Sequence, residues 1–305
     1  MTGSTKCVVP ESLLTPKKYE CRFWSGVGLL AIYYTYVRYV AHLPLTSLHD
    51  ACDDVYSVTS LVLGLVFGCY SGYHMNHWWD LRVATGTVAG SLVDIAMVCN
   101  GYSRQVSIHC KPQAIESIAR NLRLAYLQHL IEIGVLNPKD CYGLDDYPKE
   151  TKSTNLIGTL SIILGEITTL SEELPFSDSV KFSLLPSVQS NLSTIRSSSG
   201  DCTMILGTNY PLVFQHLIYC FTGLHFAYLP VYLTGKTGGS SLHVTAICML
   251  AFVFIAGFVL MIETHFRNPF AFDSFRISDI WRGTFASIDQ CFGTTSLYAR
   301  KTKVR

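Results

Sequence analysis

The run "VYSVTSLVLGLVFGCYSGY" at 55–73 is long enough to cross a bilayer, and it continues without proline into "HMNHWWDLRVATGTVAGSLVDIAMV". Inside a hydrocarbon core of about 30 Å every backbone N–H and C=O must be bonded within the protein, so a chain crosses it as roughly 20 mostly apolar helical residues. Three other runs meet that demand: 23–41, 211–233 and 242–262. Arg38 sits near one end of its run, where its stem can reach the headgroups. "NLIGTLSIILGEITTL" is shorter and carries Glu166, which fits a buried helix outside the bilayer better than a span. Charged residues make up 15% of the chain against about 25% in soluble domains, a shortfall that agrees with a membrane protein.

Lysine and arginine placement orients the spans. Residues 1–22 hold four basic residues and 264–305 hold seven, whereas 42–54 has none and 235–241 has only Lys236. By the positive-inside rule both tails are cytoplasmic and the two short connections face outward. The long middle segment is then cytoplasmic as well, which puts the N-x-S pattern at Asn191 on the wrong side for glycosylation. The expected organisation is an all-α, multi-pass membrane protein. It has a cytoplasmic tail (1–22), membrane helices one and two (23–73), a helical cytoplasmic domain (74–209), membrane helices three and four (210–263) and a cytoplasmic C-terminal segment (264–305). The plasma membrane is the expected host.

A net charge of +1, with 23 lysines and arginines spread along the chain, argues against nucleic acid as a partner. The 11 cysteines form no C-x-x-C pair and only Cys52 falls on the outer side, so neither a disulfide scaffold nor structural zinc is expected. The N-terminal stretch lacks the apolar core of a secretory signal. Within the middle segment Pro112 opens a helical pattern with Ile115, Ile118, Leu122, Tyr126 and Ile133 along one face. "SSSGD" at 197–201 reads as a loop before the third span.

The second span raises its own question. Trp78 and Trp79 fall where a helix leaving the bilayer would meet the inner interface, and aromatic anchoring explains them. His74 and His77 share a helix face, as a metal pair would, but the other histidines are scattered; no metal or other cofactor is expected there. Leu61, Leu65 and Cys69 follow one another at four-residue steps, and Gly64, Gly68 and Gly72 form a second row. Spacing alone leaves two readings. One is ordinary helix packing; in the other, several copies of the helix surround an axis and the Leu/Leu/Cys face lines a narrow pore that gates by dewetting.

Three ordered blocks then carry a family resemblance. "LVLGLVFGCYSGYHMNHWWDLR" is similar to the bestrophin pore helix and its R-W-W-like end, with His77 in place of arginine. "IRSSSGDCTMILGTNYPLVFQHLIYC" is similar to the L-R…C-G…I-P-L-V-Y approach to the third span, with Phe214 in place of tyrosine. "FRNPFAFD" is similar to N-P-F-G-x-D, with Ala271 in place of glycine. The chain thus resembles the bestrophins, a family of oligomeric ion channels, over most of its length and loosely over 83–190.

The resemblance implies a homopentamer in membrane lipid, with second-span helices forming a central neck above a cytoplasmic vestibule. It implies chloride and other small anions as the permeant ions, although some bacterial relatives pass cations. Its neck rings fall at Leu61, Leu65 and Cys69, where most bestrophins carry bulkier aromatics at the last two positions. A second constriction falls near 182–185. The calcium clasp of animal members maps to His265, Asn268 and Asp273, but its second carboxylate position matches Arg276. Calcium takes six to eight oxygen ligands, so the clasp is expected to be lost or weak. The alternatives are a cation channel on the same fold, a secondary transporter or a membrane enzyme. No nucleophile–base set, phosphate loop or internal repeat supports the last two.

Overall fold

A computed structural model describes residues 28–29, 32–33, 45–105, 112–136, 155–173, 178–208, 211–237, 241–262 and 277–292. Among the described residues there are seven α-helices and no strand. They are α1 (Leu45–Gln105), α2 (Pro112–Glu132), α3 (Leu156–Glu173), α4 (Asp178–Gly207), α5 (Leu212–Thr237), α6 (Ser241–Met261) and α7 (Ile277–Phe292). The regular structure of the described residues is all helical, as the sequence predicts. The chain divides into two compact units: Trp79–Gly207 with α7 forms one, and α1 up to Trp78 with α5 and α6 forms the other.

The first unit has a continuous apolar core whose members recur at helical spacing. Leu81, Val88, Leu92 and Ile95 come from α1; Ile118, Leu122, Tyr126 and Leu130 from α2; Leu160, Ile163 and Ile167 from α3. Leu184, Val188, Leu192 and Ile195 of α4 and Phe285 and Ile288 of α7 complete it. The predicted face of α2 is therefore the buried one, except that Ile115 is half-buried and Ile133 lies in the turn that ends the helix. That turn requires a left-handed residue, and Gly134 supplies it at φ +74°. The amide of Gly134 donates to the Ile131 carbonyl at 3.0 Å and that of Val135 to Leu130 at 2.9 Å, which satisfies two carbonyls of the last turn of α2. At the start of α3, Asn155 Oδ1 accepts from the Gly158 amide at 2.9 Å as an N-cap.

Polar ties converge on α2. Ser117 Oγ donates to Glu166 Oε1 at 2.6 Å and Asn121 Nδ2 to Glu166 Oε2 at 2.9 Å, which seats the α3 carboxylate on α2. Arg123 pairs with Asp289 of α7, and both side chains are largely out of water, at 13% and 5% exposure. His129 Nδ1 lies 2.9 Å from Ser199 Oγ of α4.

Two sequence expectations need correction. "SSSGD" is not a loop; α4 runs through it to Gly207. Ser198, Ser199 and Cys202 continue the buried spacing of Leu192 and Ile195, and the His129 contact adds to it, so packing overrides the weak helix propensity of serine and glycine. The outer connection read at 42–54 is likewise mostly helix, because α1 begins at Leu45. The polar stretch up to Asp54 contains no glycine or proline after Pro44 that would break it.

In the second unit Phe226, Leu229 and Cys248 form one apolar cluster with Tyr56 and Phe252 against it. Tyr70, Ile218 and Ile262 form another with Val66 and Phe67. Of the four sequence-predicted spans, 23–41 lies almost wholly outside the described residues.

Removing one partner of a desolvated ion pair strands the other charge. Asp289→Ala should therefore destabilise the first unit by about 3 kcal/mol and release α7, read as lost amide protection across Ile277–Phe292. Unchanged protection there would show that the pair holds nothing.

Burial pushes the His129 imidazole down to about 4 from its ordinary 6.5, so it is neutral at pH 7. Between those two values the unfolded chain takes up a proton that the folded chain refuses. Its stability contribution is complete above pH 6.5 and declines as pH falls toward about 4, by on the order of 3 kcal/mol in all. Protection factors of α2 amides should drop across that window in the parent, and drop less in His129→Leu. Parallel losses in both proteins would assign the acid sensitivity elsewhere.

Candidate functional site

Within α1, Asp53–Tyr102 is long and apolar enough to cross a membrane by length and composition. In its first part the helix has two unlike sides. Thr59, Leu63, Tyr70 and His74 are buried, recurring at steps of four, seven and four residues as one stripe should. Leu61 and Leu65 are 76% and 68% exposed, and Cys69 is exposed as well. Leu63 is two residues from each leucine, about 200° round the helix. The sequence-predicted neck residues thus share a bare stripe on the side of α1 opposite its packed stripe.

The glycine row flanks that bare stripe. A methyl group added at Gly64, Gly68 or Gly72 would meet no atom of the chain within 4 Å. One charged group lies on the same stripe and was missed by sequence reasoning. Asp54, seven residues before Leu61, falls within about 20° of it around the helix, and it is exposed. The spacing signal was available, but the residue stood in a stretch read as a loop.

The remaining candidates are distributed as follows. Trp78 is half-buried and Trp79 exposed. The rings of His74 and His77 meet tyrosine edges: Tyr70 at 4.5 Å from His74, and Tyr73 at 5.6 Å from His77. Among the described residues no three His, Cys, Asp or Glu side chains gather as a metal set. Near the second constriction suggested at 182–185, Phe182 of α4 is 79% exposed, whereas Leu184 is in the core. The clasp residues His265, Asn268 and Asp273, with Arg276, lie outside the described residues.

The family model described as "Bacterial/Fungal Bestrophin protein" matches residues 23–279. Two crystal structures of point variants of a bacterial bestrophin homologue from Klebsiella pneumoniae are similar to this chain. One has 16% identity and a TM-score of 0.66, covering 90% of this chain and 98% of its own. The other has 14% identity and a TM-score of 0.66, covering 96% of this chain and 100% of its own. A crystal structure described as a membrane protein has a TM-score of 0.68 at 15% identity, covering 90% and 98%. At these identities the likeness concerns the fold. Comparison with curated proteins gave no match.

Proposed function

The chain belongs to the bestrophin family, whose members are oligomeric ion channels of the membrane, and we propose that it conducts chloride and other small anions through a hydrophobic neck at the axis of a homopentamer. Membership points to a channel rather than an enzyme. The observation that carries the neck is the bare Leu61, Leu65 and Cys69 stripe opposite the packed side of α1. Rings of apolar side chains around a narrow lumen disfavour water, and an ion cannot follow until the constriction wets. The adjoining glycine row leaves room for a neighbouring copy of α1 to approach closely. In this reading membrane lipids surround the assembly, both tails and the first unit are cytoplasmic, and the host is the plasma membrane.

A hydrophobic neck does not set the sign of the ion, and one observation favours the second reading, a cation channel. Asp54 lies on the bare stripe ahead of Leu61, and copies around an axis would form a carboxylate ring. Reversal potentials of the purified chain in planar bilayers under a chloride gradient decide between them. A potential near that of chloride supports the anion reading; one near that of the cation overturns it. Leu65→Ala should raise basal current about threefold or more by lowering the wetting barrier. Unchanged current in a well-expressed, still oligomeric variant would remove Leu65 from the neck.

For calcium, the replacement of a carboxylate position by Arg276 removes a ligand and adds repulsion at close range. Current should therefore be indifferent to calcium up to about 1 μM, the range in which sensor sites fill. Calorimetry showing tight calcium binding that vanishes in Asp273→Ala would refute this.

A further inference from the structure

His225 of α5 is 7% exposed and stands against α1 next to the first residue of the proposed neck. Its ring stacks on Tyr56 at 4.8 Å and 29°, and Tyr56 stacks on Tyr232 at 4.1 Å and 15°, so three rings lie in one column. His225 Nδ1 is 3.5 Å from Ser60 Oγ, and Ser60 directly precedes Leu61. Ser60 has one hydroxyl hydrogen, and its 2.6 Å contact to the Tyr56 carbonyl commits it. Ser60 Oγ is then the acceptor in its contact with His225. The neutral imidazole therefore carries its hydrogen on Nδ1, and Nε2 is the nitrogen that takes a proton.

We propose that His225 is a proton-responsive positioning residue that holds the pore helix at its first neck ring. This rests on the channel reading above. The groups around it are mostly uncharged. From α1 come Tyr56 and Ser60; Phe226 and Tyr232 belong to α5, and Cys248 of α6 packs into the same cluster. Asp53, half-buried one turn before Tyr56 on the same side of α1, is the carboxylate placed to face this column. It lies seven residues from Ser60, roughly 10 Å along the helix.

Magnitudes decide what protonation does. An ionised ring is costly to hold out of water unless a close opposite charge or hydrogen bonds compensate it. The face of Tyr56 returns only part of that cost, and a carboxylate about 10 Å away returns little more through an effective dielectric near 20. The balance goes against keeping the ion in the column. Acid therefore drives the ring toward water and frees Tyr56 and Ser60. α1 then loosens beside Leu61, wetting becomes easier and current rises.

The test records current in bilayers with both sides at about pH 7.5 and then about 5.5, a range over which a histidine ring that has reached water becomes charged. The parent should gain about threefold or more, while His225→Gln and His225→Phe should stay nearly flat. His225→Phe keeps a ring for Tyr56 to stack on but cannot be protonated. His216→Gln, an exposed histidine on the same helix, should keep the parent's rise. In parallel, maleimide modification of the Cys69 peptide is followed by mass spectrometry at each pH. The parent-to-variant ratio cancels the thiol's own ionisation, and it should grow as pH falls. Absence of any current with a ratio that still grows would defeat the channel reading and leave the positioning role standing. A flat parent current with a flat ratio, or a rise retained in both His225 variants, overturns the proposal.

Discussion

A helix that spends part of its length in hydrocarbon has to satisfy its backbone by itself and its side chains by whatever lies beside it. In this chain α1, one helix of 61 residues, has the length and apolar composition that such a constraint demands. Past Trp79 it gives Leu81, Val88, Leu92 and Ile95 to a core shared by four other helices. Before Trp78 it gives Thr59, Leu63, Tyr70 and His74 to one side and leaves Leu61 and Leu65 bare. Leaving a leucine in water forfeits about 1.5–3 kcal/mol that burial would recover. The bare stripe is therefore a surface that lipid or a second copy of the chain is favoured to cover, and the proposed assembly is one way of covering it.

Much of this was legible in the sequence, because the signals were local. Apolar length marked 55–73 as part of a long apolar helix, and helical period marked the core face of α2 through Ile118, Leu122 and Tyr126. The stripe of Leu61, Leu65 and Cys69 followed from spacing. What could not be read depends on partners distant in sequence. Serines at 198 and 199 look like a loop until His129, about 70 positions earlier, packs against them. Arg123 looks like a solvent-facing charge until Asp289 meets it 166 positions later. Asp54 is a different failure. Its phase relative to Leu61 was computable, but the surrounding polarity hid the helix to which it belongs.

The first unit shows how polar groups specify an arrangement that apolar packing leaves loose. Leucine and isoleucine faces slide past one another at modest cost, and volume-conserving exchanges are tolerated. Glu166 cannot slide: its two oxygens accept from Ser117 and Asn121, one turn apart on α2. Arg123 and Ser199 play the same part for α7 and α4. Each of these ties is expensive when half broken, so each fixes one register of its helix against α2. Whether such burial adds net stability over an apolar core is a separate matter from the register it selects.

The continuity of α1 through the tryptophan pair has a consequence for how such a chain can change over time. Each residue added to an uninterrupted helix turns everything beyond it by about 100° and shifts it about 1.5 Å. A single insertion between Cys69 and Leu81 would leave both segments intact, yet rotate the phase of one relative to the other by more than a quarter turn. No loop lies in that interval to absorb the offset, since α1 spans it without a break. Substitutions there can accumulate one at a time, but length changes cannot. Across descendants of this sequence, the spacing between the leucine stripe and the first core leucine should be kept more strictly than the residues that fill it.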